Sequence, residues 1–299
     1  MLKEFDQKAL QLFEEKGNGN AVKVRRISEL TKKFSTKNFE DLRILDLGCG
    51  EGVYSLEAAM NGASVVAIDG RNNRLKYGEE VAKNHGLDKV DFQVDDVRNV
   101  TIDKYGKFDI IYNLGLLYHL DSEDCFSLLK RLYDMCDNAL IIDTTIGLSS
   151  PLEVKHEGES YYGVRYVEHD EKDDNELVMN QRVMHSIGNN ESFLPTKNSL
   201  IRFLNKLGFE CIMECYSPIE PFKNDGRVTL IALKGEKSTI KSYPWINGLS
   251  EDEIIKRSDM GTKVPFVLPA GASMKQKTMA KVVKWLDKRG FELKRKLSD

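Results

Sequence analysis

The sequence predicts an α/β protein: a doubly wound, seven-stranded, mostly parallel sheet with helices on both faces. Three observations lead there. Short apolar runs alternate with helical stretches between Arg43 and Thr145. The first run ends in a glycine-rich turn, LDLGCGEGVY over Leu45–Tyr54, and the second ends in an acid, Asp69. Strands buried on both faces read as near-continuous apolar runs, and strands separated by helices pair in parallel.

The elements follow in order. Phe5, Leu10, Leu12 and Phe13 recur at helical spacing until GNGN breaks the pattern, and a second helix is expected over Val22–Phe34. RILDLG opens the sheet, a helix follows over Tyr54–Asn61, and SVVAID (Ser64–Asp69) is the second strand. Asn73–His85 reads as a helix closed by Gly86, VDFQVDD (Val90–Asp96) as the third strand and FDIIYNLG (Phe108–Gly115) as the fourth. Cys125–Cys136 is a helix and ALIIDTT (Ala139–Thr145) the fifth strand. Ile146–Glu191 reads as irregular, with clustered charges and the Tyr-rich YYGVRYVEHDE. Order is expected to resume at Pro195, where Thr196 caps a helix over Asn198–Leu207 that ends at Gly208. GFECIMECY and RVTLIALKG are the last two strands.

Composition narrows the function. The chain has 299 residues, a net charge of -3 and 41% hydrophobic residues, enough for a full core. Nucleic-acid-binding proteins usually carry a basic excess, so the overall charge argues against that class. The basic stretch KQKTMAKVVKWLDKRGFELKRK near the end leaves a phosphate contact open, although Met279, Val282, Val283 and Leu286 also fit the inner face of a terminal helix. Five cysteines occur without a CxxC pair, so free thiols in a reducing cytoplasm are expected and no metal site is. The N-terminus reads as neither a signal nor a transit peptide, and no run reaches the ~18 apolar residues of a membrane span.

A glycine turn after the first strand of such a sheet holds a nucleotide-like ligand, because glycines let the backbone approach closely and the next helix offers free N–H groups. A dinucleotide fingerprint, G-x-G-x-x-G, fits at Gly48 and Gly50, but the third glycine falls one place early at Gly52, with Val53 where it is expected. Asp69 suits any ligand with a ribose diol. Asp46, just ahead of the turn, would repel a pyrophosphate and suits a cationic ligand such as S-adenosylmethionine, which carries an ammonium, a sulfonium and no phosphate. A nicotinamide-dependent oxidoreductase is the rival if the displaced glycine is tolerated.

DLGCGEG, AIDGR, VDDVR and FDIIYNLGLLYHL, in that order, resemble the motif series of the class I S-adenosylmethionine-dependent methyltransferases, with a Rossmann-like sheet, across Arg43–Thr145; the strand pair at 209–234 is also in that style. The resemblance implies S-adenosyl-L-methionine as cofactor and assigns roles by match. Asp46, Gly48, Cys49, Gly50 and Gly52 form the turn around the methionine part. Asp69 takes the ribose hydroxyls beside Gly70 and Arg71. Asp96, or its neighbour Asp95, and the Val97 N–H meet the adenine. Asn113 and Leu114 close over the methionine end. Cys49 is expected as a small filler rather than a reactive thiol.

Tyr118 and His119, in LGLLYHL, stand where cofactor and acceptor meet in such enzymes, and His119 is the candidate general base. An acceptor-covering insertion over 146–192 either supplies Tyr162, Arg165 and Tyr166 as an acceptor clamp, together with Glu168 and His169, or is a mobile, solvated loop with its charges outward. Phe193 and Pro195 match a segment bordering the acceptor cavity in the tRNA wobble-uridine carboxymethyltransferase group and its small-molecule relatives, which LLYHL also resembles. Those tRNA-acting enzymes carry a larger N-terminal domain than the forty or so residues found here.

The organisation expected is a helical N-terminal cap over 1–40, a methyltransferase domain over 41–235 and a C-terminal extension over 236–299. The function expected is methyl transfer to an oxygen or nitrogen of a small-molecule acceptor in the cytoplasm, without a membrane partner. Methyl or carboxymethyl transfer to a tRNA base, a catalytically silent partner-binding module and a homodimer stay open.

Overall fold

A computed structural model describes residues 21–169, 182, 185–216 and 226–235. The first predicted helix and the C-terminal extension with its basic stretch lie outside the described residues.

The predicted sheet is present. Its strands are β1 (Arg43–Leu47), β2 (Ser64–Asp69), β3 (Val90–Val94), β4 (Phe108–Leu114) and β5 (Cys136–Thr145), closed by β9 (Cys211–Glu214) and β10 (Arg227–Leu233). Their spatial order is β3-β2-β1-β4-β5-β10-β9. The first five are parallel, and β10 runs antiparallel to both of its neighbours. The order reverses between β1 and β4, which opens a crevice beyond their carboxyl ends.

Strand alternation sorts side chains between two cores. Leu45, Leu47, Ile111, Leu140 and Ile142 face α5 (Ser122–Met135) and α6 (Lys197–Leu207). Ile44, Val65, Ile110, Tyr112 and Ile141 face α1 (Ala21–Phe34) and α2 (Val53–Met60). Val24, Ile27 and Leu30 recur every third residue and bury one stripe of α1. Two polar contacts fix that helix to the sheet: the Thr31 hydroxyl meets the Tyr112 hydroxyl at 2.7 Å, and Arg26 donates to Thr229 Oγ1 at 3.5 Å. The caps at Thr196 and Gly208 match the sequence signals, and α5 starts at Ser122, ahead of the expected Cys125. Asp121 accepts from the Asp124 N–H at 2.8 Å to start α5, Thr196 accepts from the Ser199 N–H at 3.1 Å to start α6, and Gly208 ends α6 at φ 110°. Between β2 and β4 lie α3 (Asn72–Asn84) and the short α4 (Ile102–Tyr105).

The stretch expected to be irregular contains ordered strands. β6 (Leu152–His156), β7 (Glu159–Val167) and β8 (Glu191–Pro195) form a three-stranded antiparallel sheet, whose last strand starts at Glu191, ahead of the expected Pro195. The hairpin turn is Glu157–Gly158, both at positive φ (48° and 83°), as a two-residue turn between paired strands requires. Asn or Asp is the usual first residue of that turn, so Glu gave no hairpin signal.

Phe126 on α5 joins the small sheet to the large one. Its ring lies 4.8 Å from Tyr161, 5.8 Å from Phe193 and 4.7 Å from Phe203, with His156 at 5.0 Å. Phe126→Ala is expected to lower the unfolding free energy by about 3–5 kcal/mol, the scale of a large buried aromatic replaced by a cavity. Urea denaturation measures this; a loss under about 1 kcal/mol would mean that the cluster does not bind the two sheets together.

Candidate functional site

A cavity of about 250 Å³ opens at the carboxyl ends of β1, β2, β3 and β4. Its floor is the glycine turn. Gly48, Gly50 and Gly52 all take left-handed backbone angles, φ 62°, 61° and 77°. At Gly52 the requirement is doubled, since a Cβ would also lie 2.6 Å from Phe92 Cε1. The turn is fastened to β2 twice: the Cys49 N–H donates to the Ile68 carbonyl at 3.0 Å, and the Gly50 N–H donates to Asp69 Oδ2 at 2.9 Å. The other Asp69 oxygen accepts the Arg71 N–H at 2.8 Å. The Asp69 carboxylate is thus held rigidly at the cavity wall, beside Gly70 and Arg71.

The adjoining wall is Asp95, Asp96 and Val97, just past β3. Burial opposes ionisation of both acids, yet each is held below the usual carboxylate range by its partners. Asp95 accepts from Lys104 Nζ at 2.7 Å and from the Tyr105 hydroxyl at 2.6 Å. Arg98 grips both oxygens of Asp96, with Nε 3.0 Å from Oδ1 and Nη2 2.5 Å from Oδ2.

The far side is formed by Gly115, Leu116 and His119, after β4. His119 Nδ1 lies 2.9 Å from Oε1 of the buried Glu168. A strip of chain, His185–Asn189, completes the wall. Three side chains fasten it. Arg71 Nη2 donates to the His185 carbonyl at 2.9 Å, Arg98 Nη2 to the Ile187 carbonyl at 3.4 Å, and Asn189 Nδ2 to the His119 carbonyl at 3.1 Å.

The structure therefore gathers Gly48, Asp69, Gly70, Arg71, Asp96, Val97 and His119 around one cavity. Other predicted residues stand elsewhere. Asp46 does not line the cavity: it shares the Ile44 face of β1, and its Oδ2 accepts the Ser55 hydroxyl of α2 at 2.6 Å. The Asp46 carboxylate thus faces α2 rather than the crevice, contrary to its expected place beside a cationic ligand. Cys49 is a filler, packed with Ala67 and Leu75, and burial pushes its thiol well above the usual range. Gly50 acts through its N–H on Asp69. Leu114 is turned to the α1 face of β4, whereas Asn113 is fully buried with both amide atoms unpartnered among the described residues. The Tyr118 ring packs against His119, centroids 4.2 Å apart and tilted by 47°, and lies 5.1 Å under the Arg227 guanidinium, outside the cavity.

The expected acceptor clamp is not assembled. Phe193 is a core residue beside Phe126, Tyr162 is buried near α6, and Arg165 and Tyr166 are exposed, Arg165 paired with Glu191. Alternation along β7 puts Tyr162 and Tyr166 on one face of the small sheet and Arg165 on the other, so the three cannot converge on one site. Sequence reasoning missed Arg74, Arg98 and His185–Asn189. An Asp-x-Arg spacing at Asp96 and Arg98 was the available signal for one of them. Nothing local announced the strip. Among the described residues there is no cluster of metal-ligating side chains, and no helix long and apolar enough to cross a membrane.

The residues present fit an adenosyl ligand. Asp69 offers two fixed acceptor oxygens at a wall of glycines, and the orphaned Asn113 amide lies at the end of β4. Residues 44–138 match the family model for a methyltransferase domain. The ubiquinone biosynthesis O-methyltransferase of Pelagibacter ubique is 33% identical over 114 residues, 36% of this chain and 46% of the relative. That of Chelativorans is 37% identical over 95 residues, 31% of this chain and 36% of the relative. The chain thus spans less than half the length of these relatives. The N-terminal domain of EvdMO1, crystallised with S-adenosylhomocysteine bound, has a TM-score of 0.57 at 21% identity, over 72% of this chain and 82% of that one. With its antiparallel closing strand, the fold is the Rossmann-like one of that EvdMO1 domain, and residues 44–138 are similar to a methyltransferase domain.

Burial raises the Asp46 carboxyl to about 7, against the opposing hydrogen bond from Ser55. An unfolded aspartate releases its proton near pH ~4. Between those values the folded chain binds more protons than the unfolded one, so this group's contribution to stability falls as pH rises from about 4 to about 7. Asp46→Asn removes that slope. Its stability advantage over the native chain is expected to widen by about 1.4 kcal/mol per pH unit across the window. Urea unfolding at several pH values measures it, and a constant difference would contradict the burial of a titrating carboxyl.

Proposed function

We propose that the protein transfers a methyl group from S-adenosyl-L-methionine to an oxygen or nitrogen of a small-molecule acceptor. The observation that carries this reading is the Asp69 carboxylate, locked by two backbone N–H groups at a glycine-lined cavity on the switch point of the sheet. When bound, the cofactor supplies a methyl group already activated by its sulfonium.

This chain's residues do the rest. Asp69 accepts the ribose hydroxyls, Val97 covers one side of the adenine, and the glycine turn sets the depth of the ligand. Methyl transfer to an activated centre needs chiefly proximity and alignment. His119, at the opposite end of the same cavity, takes the proton from the acceptor hydroxyl or amine. The likeness to O-methyltransferases and the size of the cavity support a small acceptor. All five cysteines are free thiols, which supports a reducing cytoplasmic setting.

Two outcomes test the reading. By calorimetry, Asp69→Ala is expected to weaken S-adenosylhomocysteine binding by about 1–3 kcal/mol, the scale of a ligand group left unpaired. Unchanged affinity, or binding of NADH instead, would contradict the cofactor assignment. His119→Gln is expected to keep that affinity and to lower methyl transfer about 10²–10⁴-fold. The assay follows labelled methyl from S-adenosylmethionine into cell extract and identifies the product; full activity in the variant would remove His119 from the chemistry.

A further inference from the structure

We propose that Glu168 is the positioning residue of the site: it fixes the His119 proton on Nδ1 and leaves Nε2 as the acceptor atom offered to the cavity. This rests on the reading of His119 as the base.

Glu168 follows β7 directly, and its backbone N–H donates to the Asn190 carbonyl at 2.8 Å. Its side chain is wholly shielded from solvent. A buried carboxylate persists only where donors surround it, and here both oxygens are engaged. Oε1 accepts the Ser192 hydroxyl at 2.5 Å and faces His119 Nδ1 at 2.9 Å. Oε2 accepts the Ser186 N–H at 3.1 Å. His185 Nδ1 lies 3.5 Å from Oε2, without hydrogen-bond geometry. Burial works against ionisation, but these hydrogen bonds outweigh it and keep the Glu168 carboxyl below its usual range, so it faces His119 as a carboxylate.

An ionised carboxylate has only acceptors. The imidazole nitrogen that meets it must therefore bear the hydrogen. In a neutral ring the other nitrogen then holds a lone pair. His119 lines the cavity, and its Nε2 has no hydrogen-bond partner among the described residues and is not among their buried unpartnered atoms. The lone pair is thus available to an acceptor proton. Ser192 and Ser186 serve the arrangement by holding Glu168 in place from β8 and from the strip that walls the cavity.

Nitrogen-15 spectra of the imidazole groups in the full chain, at a pH where His119 is neutral and without cofactor or acceptor, test this. The His119 signals are assigned by their loss in His119→Gln. The native chain is expected to show a pyrrole-type Nδ1 and a pyridine-type Nε2. In Glu168→Met, which keeps the bulk and removes the acceptor oxygens, the two signals are expected to exchange character, with Nε2 protonated. A native chain with Nε2–H, or a folded Glu168→Met that keeps Nδ1–H, would overturn the proposal. If Glu168→Met does not fold, the native spectrum alone decides between the two tautomers. The spectra need no ligand, so failure of the cofactor assignment, read by calorimetry, is distinguishable from failure of this one.

Discussion

One carboxylate holds the site together. Asp69 ends β2, and its two oxygens accept N–H groups from different segments: Gly50 in the turn after β1 and Arg71 at the start of the next connection. The Gly50 bond and a backbone contact from Cys49 tie the glycine turn to the neighbouring strand. The turn itself needs three left-handed residues, a conformation that a flexible chain leaves readily. The bonds to Asp69 hold it open as a cradle. They also set Arg71, whose guanidinium reaches across to the His185 carbonyl and anchors the opposite wall. Crevice floor and far wall thus depend on the same side chain.

The two ends of the cavity are built differently. The Asp69 end comes from consecutive strand–turn–helix units, so its residues are near one another in sequence. The His119 end is assembled at long range. His119 follows β4, its partner Glu168 follows β7, and the groups that steady Glu168 belong to the strip and to β8. The large sheet thereby carries one end of the site, and the small sheet with the strip holds Glu168 at the other.

This division explains what the sequence disclosed. Near-continuous apolar runs marked β1, β2, β4, β5 and β10, because burial on both faces leaves little choice of residue, whereas the edge strands β3 and β9 are only partly buried. The glycine turn and Asp69 were legible for the same local reason. Asp46 was misplaced because its distance from the turn was read without its parity: two residues after Ile44, it points with Ile44 toward the helices. Leu114 obeys the same alternation. The hairpin was hidden by an unusual Glu–Gly turn, and the acceptor clamp by aromatic residues that belong to a second core. Glu168 stood out only as a charged residue in a Tyr-rich stretch; its meeting with His119, 49 residues away, is a property of the fold.

The central claim is that this cradle holds an adenosyl ligand by its ribose. Crystals of the chain grown with S-adenosylhomocysteine test it most directly. The account predicts both ribose hydroxyls on the Asp69 carboxylate, with the adenine against Val97 and the thioether directed toward His119. A ligand seated elsewhere, or a ribose turned away from Asp69, would contradict it.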